Sequence, residues 1–181
     1  MNKIQPVSVL CVVNGKNAAG GLKLLLNGAG VSQVFATEDA DDVFDIVSGA
    51  SIDVLLIQDD PPEIDGVELC REIRNSPNSP DIKMPVILIM KESSMKRTVD
   101  ATTAGVNEML VYPFSARKLL QRLTAAINDE REFIQVETYV GPDRRFLKKW
   151  DYRGPMRRRD DVVQEPEEED FCSEAMKKFV L

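Results

Sequence analysis

The stretch Val54-Leu-Leu-Ile-Gln-Asp-Asp-Pro-Pro-Glu-Ile-Asp-Gly-Val-Glu-Leu69 decides the fold. It begins with an apolar, β-branched run at 54–57 that ends in polar residues and prolines, as strands buried in a parallel sheet do. A helical pattern at 67–75 follows and places Val67, Cys70 and Ile73 on one face. The stretch therefore predicts a buried strand, a short loop and an amphipathic helix.

The same alternation of strand and helix recurs along the first 130 residues. The predicted strands are residues 7–13, 34–36, 54–57, 86–90 and 108–111. The predicted helices are residues 18–29, 41–48, 67–75, 95–104 and 115–127, the last with Ser115 as its N-cap. Five repeats predict a doubly wound α/β domain, because every parallel crossover needs a helix to cover the sheet. A functional site is expected at the carboxyl ends of the strands.

The composition excludes several classes of function. The 181 residues carry 23 Lys and Arg against 30 Asp and Glu, a net charge of −7, and no histidine. Without histidine there is no Ser-His-Asp or Cys-His hydrolase and no His-ligated zinc or haem. Three widely spaced cysteines predict reduced thiols and a cytoplasmic protein. No segment approaches the roughly 20 apolar residues of a membrane span.

The charge is unevenly distributed and predicts a domain at 1–130 followed by a tail at 131–181. The −7 divides into −6 for residues 1–136, +4 for 137–160 and −5 for 161–181. The basic stretch holds a repeat, Tyr139-Val-Gly-Pro-Asp-Arg-Arg145 and Tyr152-Arg-Gly-Pro-Met-Arg-Arg158. Its Gly-Pro pairs favour turns or extended chain. An acidic linker at 165–170 and a short candidate helix at 171–181 follow.

Residues 7–127 resemble the receiver domain of two-component response regulators, the CheY-like family. The resemblance is carried by the opening stretch, by Met84-Pro-Val-Ile-Leu-Ile89, by Ala104-Gly105 and by Val111-Tyr-Pro-Phe114. Most specific are the turn from Pro62 to Asp65-Gly66 and the Pro113-Phe114 pair. The resemblance implies a (βα)5 flavodoxin-like fold with a parallel five-stranded sheet, and a role in bacterial two-component signalling or a phosphorelay.

The resemblance also implies five functional positions, and this chain departs from the family pattern at all of them. A receiver has a phospho-acceptor aspartate, two acids that hold Mg²⁺ with it, a Ser or Thr, and a lysine. These positions are here Gln58 for the acceptor, Val13 and Asn14 for the acids, Met90 for the Ser or Thr, and Tyr112 for the lysine. The implied protein is a degenerate pseudo-receiver, with no metal or cofactor and with Mg²⁺ binding lost, and we expect no enzymatic activity. We expect Val13 and Met90 to pack and Gln58 to fill the space. Tyr112 is expected to cover the pocket, its hydroxyl directed to solvent or to Gln58.

Asp59 and Asp60 leave an alternative open, because a shift of register would make one of them the phospho-acceptor. Alternation along a strand opposes this, since Asp59 should point away from the direction of Gln58. The plain interpretation is a pair of solvated acids that cap the loop.

In this family the surface of helix four, strand five and helix five contacts partners. An aromatic residue on strand five commonly reports the switch, and Met109 stands there. We therefore expect one fixed conformation that other signalling proteins bind without a phosphorylation-dependent population shift. A homodimer is a further option, and the plain interpretation of this face is an ordinary polar helix surface. The candidate contacts are Lys91, Lys96, Arg97, Met109, Arg117 and Arg122.

The basic tail adds a second candidate surface. Its candidate contacts are Arg144, Arg145, Trp150, Arg157 and Arg158, which suit phosphate or carboxylate groups. A protein-docking or self-docking tail is favoured over a disordered linker. The neighbouring acidic segment opposes nucleic acid binding. The sequence thus predicts phosphorylation-independent protein–protein interaction; the alternatives are a phospho-accepting single-domain response regulator and a nucleic-acid-associated regulator acting through the tail.

Overall fold

The computed structural model describes residues 7–92, 94–136 and 139–144. It confirms the predicted fold, a five-stranded parallel sheet with five helices. The sheet order is β2-β1-β3-β4-β5. Its strands are β1 (Ser8–Val12), β2 (Gln33–Thr37), β3 (Val54–Asp59), β4 (Val86–Met90) and β5 (Glu108–Val111). The helices are α1 (Lys16–Gly28), α2 (Asp42–Gly49), α3 (Gly66–Asn75), α4 (Met95–Thr103) and α5 (Ala116–Ile127).

Both faces of the sheet are covered, which explains why the strands are almost continuously apolar. Leu55 and Ile57 of β3 pack toward α2, α3 and α4. Leu56, on the opposite face, packs toward α1 and α5. β3 is the middle strand of the sheet, and every one of its residues is buried. Among the described residues no helix is long and apolar enough to cross a bilayer.

Side-chain caps fix the starts of three helices around the carboxyl end of the sheet. Asp65 accepts a hydrogen bond from the Glu68 N–H at α3, and Ser94 accepts one from the Arg97 N–H at α4. Ser115 caps α5 by accepting from the Lys118 N–H, as predicted. These caps satisfy backbone donors that a helix start leaves free.

Ordered structure continues past residue 130, where the sequence placed the start of the tail. An antiparallel hairpin, β6 (Phe133–Val136) and β7 (Tyr139–Pro142), follows α5. Extended chain at β7 agrees with the prediction from its Gly-Pro pair. The first part of the predicted tail is therefore paired structure. Arg145, Trp150, Arg157, Arg158, the acidic linker and the candidate helix lie outside the described residues.

A buried arginine on α3 joins this hairpin to the domain. Arg74 is only 1% exposed. Its guanidinium donates to the Gly105 carbonyl at 3.2 Å, to the Ile82 carbonyl at 2.7 Å and to Asn107 Oδ1 at 2.9 Å. The guanidinium carbon lies 5.3 Å from the centre of the Phe133 ring, a cation–π arrangement. Burial lowers the pKa of Arg74, and the three acceptors offset the cost of burying its charge.

Replacement of Arg74 by methionine should therefore destabilise the fold. Arg74→Met leaves the buried carbonyls of Ile82 and Gly105 without their donor and removes one of the two donors to Asn107 Oδ1, which keeps the Val86 N–H. We expect a loss of about 3 kcal/mol in the free energy of unfolding. Arg71→Met on the same helix is the matched control, because Arg71 makes an exposed pair with Glu68 at 2.8 Å. It should cost under about 0.5 kcal/mol. Urea denaturation measures both, and equal losses would contradict a structural role for Arg74.

Candidate functional site

The five predicted pocket positions all lie at the carboxyl edge of the sheet. Val13 directly follows β1, Gln58 lies near the end of β3, and Met90 ends β4. Tyr112 follows β5 and donates its backbone N–H to the Met90 carbonyl at 2.9 Å. The parallel register sets Met90 beside Asp59 on one side and Val111 on the other. The edge therefore has the position that the sequence predicted for a site.

Gln58 fills the centre of this edge with an uncharged side chain. It is 7% exposed, and its Nε2 donates to Asp60 Oδ2 over a long 3.5 Å. Its Oε1 is buried and has no hydrogen-bond partner among the described residues. The hydrogen bond to the Tyr112 hydroxyl that the sequence left open is therefore not formed. An amide thus occupies the place that the resemblance gives to the acceptor.

The remaining pocket positions are mostly apolar. Val13 and Met90 are 0% and 2% exposed and pack in the two cores on opposite faces of the sheet. Asn14 is exposed. Tyr112 stacks on Phe114 with ring centres 4.6 Å apart and remains 38% exposed. Burial of its ring raises the pKa of Tyr112. None of these four side chains brings a charge to the edge.

Asp59 points to the opposite face of the sheet from Gln58, as alternation along the strand predicted. Its side chain is 4% exposed. Arg97 of α4 binds it at both oxygens, with Nε 2.7 Å from Oδ2 and Nη2 2.5 Å from Oδ1. The Gly66 N–H donates to Oδ1 at 3.0 Å. The interpretation of Asp59 as a solvated acid is wrong, because its carboxylate forms a bidentate buried ion pair.

Arg97 also binds the N-cap of α3, so one guanidinium ties two segments together. Its Nη2 lies 2.7 Å from Asp65 Oδ1. Burial raises the pKa of Asp65, but hydrogen bonds from the Glu68 N–H and from Arg97 lower this pKa by more than burial raises it. The pKa of Asp65 is therefore below its usual range. Arg97 was predicted as a partner contact; it is instead 24% exposed and engaged within the domain.

Asp60 is likewise paired rather than solvated. Lys91, the residue after β4, places its Nζ 2.6 Å from Asp60 Oδ1, and the Asp60 side chain is 14% exposed. This hydrogen bond raises the pKa of Lys91. Asp60 and Ile64 exchange two backbone hydrogen bonds across the β3–α3 loop, at 2.9 and 3.1 Å. Each acid of the pair therefore has its own cation. Within the described ranges, no three His, Cys, Asp or Glu side chains form a group that could hold a metal ion.

The predicted partner face is mixed in character. Lys96 on α4 and Arg117 on α5 are exposed, Arg122 pairs with Glu108 at 2.7 Å, and Met109 packs partly against the core. The sequence analysis missed two apolar side chains on α4, Met95 and Val99, which are 82% and 53% exposed. Their spacing of four residues places them on one face and was the signal available.

Comparisons with known proteins agree with this architecture. A family model described as "Response regulator receiver domain" matches residues 9–124. "Response regulator MprA" of Mycolicibacterium vanbaalenii is 25% identical over 122 residues, which are 67% of this chain and 51% of MprA. The chain thus spans about half the length of the curated relatives it matches.

Solved structures show the same fold. The chemotaxis protein CheY4 of Vibrio cholerae is 22% identical, with a TM-score of 0.59 over 66% of this chain and 98% of that one. The receiver domain of sensor histidine kinase PA1611 from Pseudomonas aeruginosa PAO1, with a magnesium ion coordinated in its active site cleft, is 22% identical. Its TM-score is 0.57 over 67% of this chain and 97% of that one.

The buried pair of Asp59 and Arg97 should contribute more to stability than the neighbouring pair of Asp60 and Lys91. Asp59→Asn leaves Arg97 without its buried partner and should lower the free energy of unfolding by about 3 kcal/mol. Asp60→Asn is the matched control and should cost under about 1 kcal/mol, since the Lys91 side chain is 60% exposed. Urea denaturation at neutral pH measures both variants. Equal effects would contradict the structural role of Asp59.

Asp65 should give the fold a dependence on acid pH. Its folded pKa is lowered, so its contribution is complete above the unfolded pKa of about 4 and is lost as the pH falls through the folded pKa. Asp65→Asn keeps a good N-cap. The stability difference between wild type and Asp65→Asn should therefore shrink from pH 7 to pH 3, measured by denaturation at each pH. A difference that stays constant or grows on acidification would contradict this assignment.

Proposed function

The chain belongs to the response regulator receiver domain family, and on that premise we propose that it acts without phosphorylation, as a pseudo-receiver that binds other signalling proteins in the cytoplasm. Its domain is a receiver of two-component signalling.

The amide at Gln58 carries the proposal. Phosphoryl transfer to a receiver needs a carboxylate oxygen as nucleophile, and a neutral amide is a poor one. Gln58 is buried, and the nearest acid on the same loop, Asp60, is engaged by Lys91. Asp59 points the other way and is held by Arg97 and the Gly66 N–H. Asp59 and Asp60, the two alternative acceptors, are therefore both already paired.

The surroundings of Gln58 support the same conclusion. Mg²⁺ prefers several carboxylate or carbonyl oxygens in a near-octahedral arrangement. The positions that would supply its acids are a buried Val13 and an exposed Asn14, and the position of the phosphate-binding lysine is Tyr112. These residues do not fit Mg²⁺. We therefore propose no metal, no cofactor and no enzymatic activity for this edge.

A partner surface on α4 completes the proposal. Arg97 fastens the first turn of α4 to Asp59 and Asp65, which favours one position of the helix. The exposed side of α4 then presents Met95 and Val99 beside Lys96. A partner with an apolar patch and an acidic rim would suit this surface. Met109 stays partly within the core, so we assign it a packing role.

Incubation with acetyl phosphate and Mg²⁺ tests the proposal. We expect the intact mass of the full chain to be unchanged, whereas a phospho-accepting receiver treated in parallel gains one phosphoryl group. An adduct that disappears in Asp59→Asn or Asp60→Asn would instead support the alternative phospho-accepting function and overturn ours.

Gln58→Asp is the matched variant for this experiment. It restores a carboxylate at the acceptor position but leaves Val13, Asn14 and Tyr112 unchanged. Because the acids and the lysine are still lacking, we expect this variant also to remain unmodified. Modification of Gln58→Asp alone would show that Gln58 is the sole obstacle and that the rest of the edge still supports phosphoryl transfer.

A further inference from the structure

The β6–β7 hairpin is the first of two consecutive, similar sequence units. Unit 1 is Phe133-Ile-Gln-Val-Glu-Thr-Tyr-Val-Gly-Pro-Asp-Arg-Arg145, and unit 2 is Phe146-Leu-Lys-Lys-Trp-Asp-Tyr-Arg-Gly-Pro-Met-Arg-Arg158. The shared residues are the first Phe, an Ile or Leu after it, then Tyr, Gly-Pro and Arg-Arg. The short Tyr-x-Gly-Pro repeat is thus part of a longer unit.

Most shared residues of unit 1 contact the domain or hold the hairpin together. The Phe133 ring lies under the Arg74 guanidinium. The Tyr139 hydroxyl donates to the Pro142 carbonyl at 2.8 Å and accepts from Arg144 Nε at 3.4 Å. Arg144 Nη2 donates to the Val106 carbonyl. We call the surface formed by Arg74, Gly105 and Val106 the hairpin socket.

Two glycines make the close contact in this socket. Gly105 has φ +85°, and a Cβ there would meet the Val140 carbonyl oxygen at 2.2 Å. A Cβ on Gly141 would lie 2.7 Å from the Gly105 Cα. Neither position accepts a side chain without a shift of backbone. The contact between hairpin and socket therefore requires glycine on both sides, at Gly141 of the repeat and at Gly105 of the socket.

Unit 2 retains this set, with Phe146, Tyr152, Gly154, Pro155 and Arg157 in the corresponding positions. It differs at two positions that are buried in unit 1: Arg153 replaces Val140 and Met156 replaces Asp143. It is also more basic, with two Lys and three Arg against one Asp, whereas unit 1 has two Arg against one Glu and one Asp. Unit 2 is therefore suited to a similar socket with a more acidic rim.

We propose that residues 146–158 dock into the hairpin socket of another domain of this same fold. The inference rests on the proposed function, which makes protein partners the output of this chain. Unit 1 already occupies the chain's own socket. A second copy would have to release its unit 1 to accept unit 2, so exchange gains no contacts to offset the entropy of association. The partner is a receiver-type domain with glycine at the position of Gly105 and with no hairpin of its own.

A chain with a vacated socket provides the test receptor. Gly141→Val and Arg144→Ala release unit 1, and Gly154→Val in the same full-length chain prevents unit 2 from filling the socket in cis. The probes are fluorescent peptides of residues 146–158, of residues 133–145, and of 146–158 carrying Gly154→Val. Anisotropy titrations at low and moderate salt give their affinities. A full-length chain carrying Arg144→Ala and Gly154→Val is a milder receptor, in case the triple variant does not fold.

The expected result is binding of both native peptides to the vacated socket. The reference is the affinity of the 146–158 peptide for the vacated chain. The same peptide should bind the wild-type chain about tenfold more weakly, and the Gly154→Val peptide should bind the vacated chain about tenfold more weakly. Binding of 133–145 without 146–158 overturns the proposal, as does absence of binding by both. Equal binding by the Gly154→Val peptide also overturns it, because charge alone would then explain the contact. No arm involves phosphorylation, so a phosphoryl adduct would overturn the proposed function while these titrations still decide the docking.

Discussion

The ion pair between Asp59 and Arg97 is the constraint on which the carboxyl edge of the sheet depends. Asp59 ends the central strand with its carboxylate on the face covered by α3 and α4, where an unpaired charge would cost several kcal/mol. Arg97 satisfies both carboxylate oxygens, and the Gly66 N–H at the start of α3 adds a third hydrogen bond. The pair therefore fixes the end of β3, the start of α3 and the first turn of α4 relative to one another.

This arrangement also explains how the sheet edge accommodates two consecutive acids. Asp59 and Asp60 would form a like-charged pair if both faced one pocket. Alternation along the strand separates them, and each has a cation, Arg97 or Lys91. Gln58 between them adds no charge. The edge therefore has no cluster of acids that would need a divalent cation to hold it together.

The fold was predictable because it depends on local patterns, whereas the contacts at the site depend on distant residues. The predicted bounds of β4 and β5 match the structure, and Ser115 caps α5 as its position indicated. The packing of Val13 and Met90 followed from their apolar chemistry. Arg97 lies 38 residues from Asp59, and no spacing rule connects them. No sequence pattern indicated a role for Arg74, because two of its acceptors are the backbone carbonyls of Ile82 and Gly105, which have no sequence signature. The hairpin was placed in the tail because its strands are four residues long and lie beside a change in charge.

Helix α4 is restrained at both ends, and this connects the two unusual features of the domain. At its first turn Arg97 binds Asp59 and Asp65. Just beyond its last turn the Ala104 carbonyl accepts from the Cys70 thiol, Gly105 is in contact with the hairpin, and the Gly105 carbonyl accepts from Arg74. A shift of α4 would have to break a buried ion pair at one end and separate two closely packed glycines at the other. Because interiors rearrange between discrete packings rather than deforming continuously, the exposed Met95 and Val99 are presented in one arrangement. The proposed function needs such a surface, since the partners of a receiver that acts without phosphorylation must recognise a conformation that no phosphoryl group selects.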